Sequence, residues 1–206
     1  MATPNRVLME QAEQSLKGRW GMAIGTCVIY ILTVIAINLI SGAGEVISLL
    51  VGGPFMLGLS MFTLAIARDE NAYLELIFKG FEEFIRALSA YLYIFVFTIL
   101  WLLLLIIPGI VAAISYSMTY FIMVDDKQID AMAAIDKSKA MMDGYKMKYF
   151  RLILYYLGFS VLCIFTLGIG FLWLFPYIQV TNAKFYDDVK REYLIKISAA
   201  SETNLN

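Results

Sequence analysis

Histidine is absent from this 206-residue chain. That removes the commonest general base and the commonest transition-metal ligand. Cysteine occurs twice, as Cys27 and Cys163, each inside an apolar run. Both read as buried packing residues rather than as a disulfide or a metal pair. Charge is scarce at 16% of residues, against about 25% in an ordinary soluble domain. The net charge of −1 argues against nucleic-acid binding driven by bulk charge. There is no G-x-S-x-G, no phosphate-cradling glycine loop and no metal-ligand spacing. No catalytic, cofactor-binding or metal-ligating residue is therefore assigned, and the chain reads as a non-enzyme.

What is present is apolar. Hydrophobic residues make up 61% of the chain and the mean hydropathy is +0.74. One soluble core of this size cannot bury so much apolar surface, so the solvent is a membrane. Charge-free stretches run over 20–44, 46–67, 87–124 and 152–183. A span needs about 20 residues, so the first two stretches are one span each, joined by a turn around Gly42, Gly44 and Glu45. The last two are long for one span and barely long enough for two. No cleavable leader is evident, because the first apolar run starts near Trp20 behind a segment carrying Glu10 and Glu13.

The basic residues decide between four spans and six. All 16 Lys and Arg fall in four blocks, at 6–19, 68–86, 127–151 and 184–196. Basic loops stay on the cytoplasmic side. Four spans would place the most basic block outside. Six spans put every block, and both termini, on the inner face. The expected spans are 20–41, 46–67, 88–107, 109–124, 151–167 and 169–186. Helix breaks are expected at Pro54, Pro108-Gly109, Gly168, Gly170 and Pro176. The fourth span is short, which leaves a re-entrant pair as a variant.

The pattern repeats. Units 4–70, 71–126 and 127–188 each carry a polar helix, a span, a break and a second span, and each ends in acid: Asp69-Glu70, Asp125-Asp126 and Asp187-Asp188. The acids read as caps and counter-charges. Amphipathic helices are expected over Tyr73–Leu88 and Asp130–Asp143, the latter stopped by Gly144. Thr3-Pro4 is expected to cap a third, which runs to Gly18. The whole is one polytopic domain over 1–193 with a polar, unstructured tail at 194–206.

Four stretches carry a family resemblance: "LKGRW", "LWLLLLIIPGIVAAISYSM", "AIDKSKAMMDGYKMKYFRL" and "GIGFLWLFPYIQVTNAKFY". Over about residues 5 to 188 the chain resembles a bacterial family of uncharacterised integral membrane proteins, catalogued as domain of unknown function 975. Its specific parts are the IPG-aliphatic-SYSM element and the element formed here by Ser138, Lys139, Met142, Gly144, Tyr145 and Lys146. The residues themselves read as an all-α, polytopic fold; the resemblance implies a multi-span protein of the bacterial plasma membrane and carries over no activity, substrate or catalytic residue.

Two groups stand out as candidate functional residues. Lys137, Lys139, Lys146, Lys148 and Arg151, interleaved with aromatics, suit anionic lipid headgroups at about 1 kcal/mol per charge near the surface. Ser115, Tyr116 and Ser117 form a polar stripe on the fourth span, and Gln179 and Asn182 do so on the sixth. Interhelical hydrogen bonding is the ordinary use of such stripes, and a conduit the alternative. Small residues at Gly21 and Gly25, and at Gly109, Ala113 and Ser117, suit close packing within the chain, or a face for a second copy. The expected role is a lipid- or partner-binding scaffold. The alternative is a small transporter or channel for an apolar or amphiphilic solute.

Overall fold

The structure, a computed structural model, describes residues 2–39 and 44–203. The helices are α1 (Asn5–Leu16), α2 (Trp20–Asn38), α3 (Gly44–Ala67), α4 (Leu76–Lys79), α5 (Phe84–Leu104), α6 (Ile106–Tyr116), α7 (Thr119–Asp125), α8 (Ala131–Met141), α9 (Lys146–Phe165) and α10 (Phe171–Thr203), with a 3-10 turn at Gly80–Glu83. No strand occurs among the described residues. The turn expected around Gly42 lies outside them.

Among the described residues five helical stretches are long and apolar enough to cross a membrane: Trp20–Asn38, Ile47–Ala67, Leu76–Leu104, Ile106–Asp125 and Lys146–Phe165. The sixth expected stretch is the start of α10. Its charge-free part, Phe171 to Ala183, is about 20 Å long at 1.5 Å per residue, short of a hydrocarbon core of about 30 Å.

The helices sort into inner and outer. In α3, 67% of the most apolar stretch is buried, and in α6–α7 56%, against 17%, 11% and 17% for α2, α5 and α9. Small side chains let the inner helices be surrounded closely. A Cβ on Gly53 would meet the Ala87 carbonyl at 2.5 Å, and one on Gly58 would meet that of Ile77 at 1.9 Å. Gly21 and Gly25, by contrast, have open space where a side chain would stand, so the spacing that suggests packing at the start of α2 serves no contact within the chain.

Several expected breaks move. α5 ends at Leu105, whose backbone is extended at φ −163° and ψ 142°, three residues before Pro108. Pro108 then occupies the first turn of α6, where a missing N–H costs no helical hydrogen bond. Gly109 lies inside α6 against Leu102 of α5. Pro54 and Pro176 do not break their helices: α3 and α10 run through them. Membrane helices tolerate proline where neighbours hold the chain, and the Gly80 backbone sits against the Pro54 carbonyl. Gly168 is a break, at φ +85°, and Gly170 closes the same turn by donating its N–H to Thr166 Oγ1 at 3.0 Å.

The expected helix over Tyr73–Leu88 is divided into α4, the 3-10 turn and the start of α5. The cause is contact with α3, because a Cβ at Gly80 would lie 2.0 Å from the Pro54 carbonyl oxygen. The backbones touch there, and the turn tightens to fit. α8 follows the expectation closely: Asp130 accepts the Ala133 N–H at 2.8 Å as N-cap, and Gly144 turns the chain at φ +81°. α10 continues to Thr203, so residues 194–203 are helical where an unstructured tail is expected, and the rest of that tail lies outside the described residues.

Candidate functional site: the charged end of the bundle

The acid-bearing ends of α3, α7 and the middle of α10 converge. Arg68, just past α3, donates to Asp125 Oδ1 at 2.7 Å and Oδ2 at 2.9 Å, and to Asp187 Oδ1 at 2.7 Å. Tyr186 donates its hydroxyl to Asp125 at 2.8 Å, and Lys190 Nζ lies 2.5 Å from the same carboxylate. One acid from each of two recurring pairs is thus gathered around one guanidinium. Charge-assisted, forked bonds of this kind are the strong class.

A cation at the start of each outer helix reaches the helix that follows it: Arg19 and Arg86 at that helix's end, Lys148 in the middle of α10. Arg19 donates to the Glu70 carbonyl at 3.3 Å. Arg86 donates to the carbonyls of Met123 and Asp126 at 2.8 and 3.0 Å, and also pairs with Glu83. Lys148 donates to Asp188 Oδ2 at 2.7 Å. The Arg19 and Arg86 bonds satisfy carbonyls that a helix C-terminus leaves without partners, and place positive charge at the negative end of the dipole; the Lys148 bond is an ion pair to a side chain within α10.

Asp188 is 4% exposed and accepts from three donors: Lys148 Nζ, the Thr3 N–H at 3.0 Å and the Thr3 hydroxyl at 2.5 Å. Burial alone would raise its carboxyl, but these bonds outweigh it and hold the group below the usual carboxylate range. Thr3 therefore tethers the N-terminal segment to α10 instead of capping α1. Among the described residues, no group of three acidic or thiol side chains is placed to share a metal ion. Cys27 and Cys163 are both free thiols.

The lysine cluster divides. Lys148 is committed to Asp188. Lys139 pairs with Asp136 at 2.9 Å and lies over the rings of Tyr116 and Phe97 at 5.6 and 6.0 Å. Lys137, Lys146 and Arg151 have no hydrogen-bond or ion-pair partner among the described residues. The polar stripes are largely self-satisfied. Ser115 and Ser117 donate to carbonyls of their own helix, at 2.7 Å each. Asn182 accepts from Tyr156 at 3.1 Å. Tyr116 and Ser117 line a cavity of about 500 Å³ with Tyr91, Thr98 and Tyr120, and neither Gln179 nor Asn182 reaches it. The two stripes are not brought together there.

At the other end of the molecule the surface is apolar and bare. Every residue from Leu102 to Ile107 is exposed, Leu103 at 80%. Phe165 and Leu167 are 82% and 94% exposed. Contiguous apolar patches of this kind do not face water in a monomeric soluble protein.

Sequence reasoning missed Arg68 as the hub. Its signal was position: it directly precedes the first acid pair, where Val124 and Tyr186 precede the other two.

The family model described as "Protein of unknown function (DUF975)" matches residues 1–115 and 93–193. No curated protein matches the chain, and no solved structure does.

Proposed function

The chain belongs to the DUF975 family of proteins of unknown function, and from that premise we propose that it is a non-enzymatic scaffold of the bacterial plasma membrane. Its cytoplasmic face binds anionic lipid or, through it, a protein partner. In this reading six apolar helices form three hairpins, one per unit (4–70, 71–126 and 127–188), with both termini inside. What carries the reading is polarity along the bundle. Bare apolar turns at Leu102–Ile107 and Phe165–Ile169 lie at one end, and Lys137, Lys146 and Arg151 stand without counter-ions near the other. The bonds of Arg19, Arg86 and Lys148, each from the start of one helix to the next helix, support the three-unit plan.

Each charge near an anionic surface contributes about 1 kcal/mol. The Lys137→Gln/Lys139→Gln/Lys146→Gln variant should therefore lose roughly tenfold or more in affinity for phosphatidylglycerol-coated beads. The wild-type protein should ignore phosphatidylcholine-coated beads. Equal retention of variant and wild type removes the lipid-surface reading. Lys148 is left untouched because its charge is used inside the fold.

One observation favours the second reading, a carrier for a neutral amphiphile. The 500 Å³ cavity beside Tyr116 has no charged lining residue, and its wall contains two buried hydroxyls without partners, Thr98 Oγ1 and Tyr120 Oη. Flux of a neutral amphiphile into proteoliposomes, abolished by Ser117→Phe, would support it.

A further inference from the structure

A second cavity lies where the N-terminal segment meets α9. It holds about 360 Å³, and its lining includes Thr3, Asn5, Arg6, Lys148, Arg151 and Tyr155. Two segments distant in sequence are fastened together to make it. Asn5 Nδ2 donates to the Lys148 carbonyl at 2.8 Å, and Thr3 and Lys148 share Asp188 as acceptor. The wall is thus held by bonds that no ligand has to form, which is the ordinary meaning of a preorganised site.

Its charge is positive. Three cations face it. Lys148 is neutralised by Asp188, and Arg6 pairs with Glu10 at 3.2 Å on the open surface, where Arg6 is 90% exposed. A pair so exposed contributes little and yields easily to a better acceptor. Arg151 has no partner among the described residues. The N-terminus of α1, the positive end of its dipole, also lies at the cavity. One turn along α9 from Arg151, Leu154 and Tyr155 are 50% and 54% exposed, on the flank of an apolar helix. Two guanidiniums beside an aromatic ring at the edge of an apolar surface match a phosphate carried on a lipid, with forked donors for the oxygens.

We propose that this cavity is a specific site for the phosphate of one anionic phospholipid, with Arg6 and Arg151 as its ligands and Tyr155 at its membrane-side rim. The proposal deepens the lipid-binding reading and shares Arg151 with it, but none of Lys137, Lys139 and Lys146 lines this cavity.

The test is native mass spectrometry of the full-length protein in non-ionic detergent, titrated with phosphatidylglycerol, phosphatidylcholine or inorganic phosphate. The expected result is one phosphatidylglycerol retained per chain, unaffected by millimolar phosphate. Affinity should fall at least tenfold in Arg6→Gln/Arg151→Gln and stay unchanged in Lys137→Gln/Lys139→Gln/Lys146→Gln. Arg6 and Arg151 bind no structural partner within the fold's interior, so the double variant should keep the wild-type melting temperature. Retention undiminished in the arginine variant overturns the site. If bead binding still falls in the lysine variant, the lipid-surface reading survives that loss. Displacement by phosphate at equal affinity overturns the lipid assignment. Loss in the arginine variant with unchanged bead binding in the lysine variant supports the cavity and removes the broader surface.

Discussion

Arg68 grips Asp125 with both terminal nitrogens, one on each carboxylate oxygen, at 2.7 and 2.9 Å. The pair joins the end of α3 to the end of α7, and through Asp187 to α10. The Asp125 side chain is 14% exposed and that of Arg68 28%, so water screens the contact only in part. Arg68→Gln is expected to destabilise the protein by about 1.5–3 kcal/mol, the worth of hydrogen bonds to a charged partner. Arg68→Lys should recover less than half of that, because an ammonium cannot fork across two carboxylates. Thermal unfolding in detergent reads both. Equal melting temperatures for wild type and Arg68→Gln would show that the network is ornamental.

Asp188 gives a pH dependence of known sign. Its carboxyl is held below the ordinary range in the folded state, so the unfolded chain takes up a proton first as pH falls. The stabilisation is fully present above the unfolded carboxyl value of about 3.9. It is lost as pH drops through the folded value below that. Stability measured from pH 6 downward should therefore fall in acid, and Asp188→Asn should flatten part of that fall while lowering stability at neutral pH. An unchanged acid limb in Asp188→Asn would contradict the role given to Thr3 and Lys148.

Glycines separate by what surrounds them. An added methyl at Gly58 would collide with the Ile77 backbone, while one at Gly21 meets nothing within 4 Å. Gly58→Ala should lower stability by about 1–3 kcal/mol, the usual cost of overpacking. Gly21→Ala should be neutral or stabilising by up to about 1 kcal/mol, from helix propensity. The comparison is internal to one assay. A harmless Gly58→Ala would mean that α3 and α4 are further apart than the contact implies.

Much of this fold was legible in the sequence, and the rest was not for definite reasons. Apolar runs and basic blocks located the helices, because hydropathy and charge act residue by residue. Asp130 and Gly144 were legible as cap and stop because capping is local chemistry. Pro54 and Pro176 misled, because whether proline ends a helix depends on neighbours that the sequence does not place. Leu105 was invisible as a turn, since any residue adopts extended backbone and no local residue type marks the position. Gly58 and Gly80 meet each other's helices across 22 residues, a contact without a local pattern. Of the candidate site, the lysines were legible as a group, yet the commitment of Lys148 to Asp188 was not, because partners 40 residues apart share no periodicity.

The placement of the apolar turns is open to direct labelling. On a background lacking Cys27 and Cys163, single cysteines at Lys137→Cys, Ile107→Cys and Ile169→Cys are exposed to a membrane-impermeant thiol reagent, first on intact cells and then on inside-out vesicles. The account predicts labelling of Lys137→Cys in inside-out vesicles only, and no labelling of Ile107→Cys or Ile169→Cys from the cytoplasmic side. Labelling of Lys137→Cys on intact cells would contradict it.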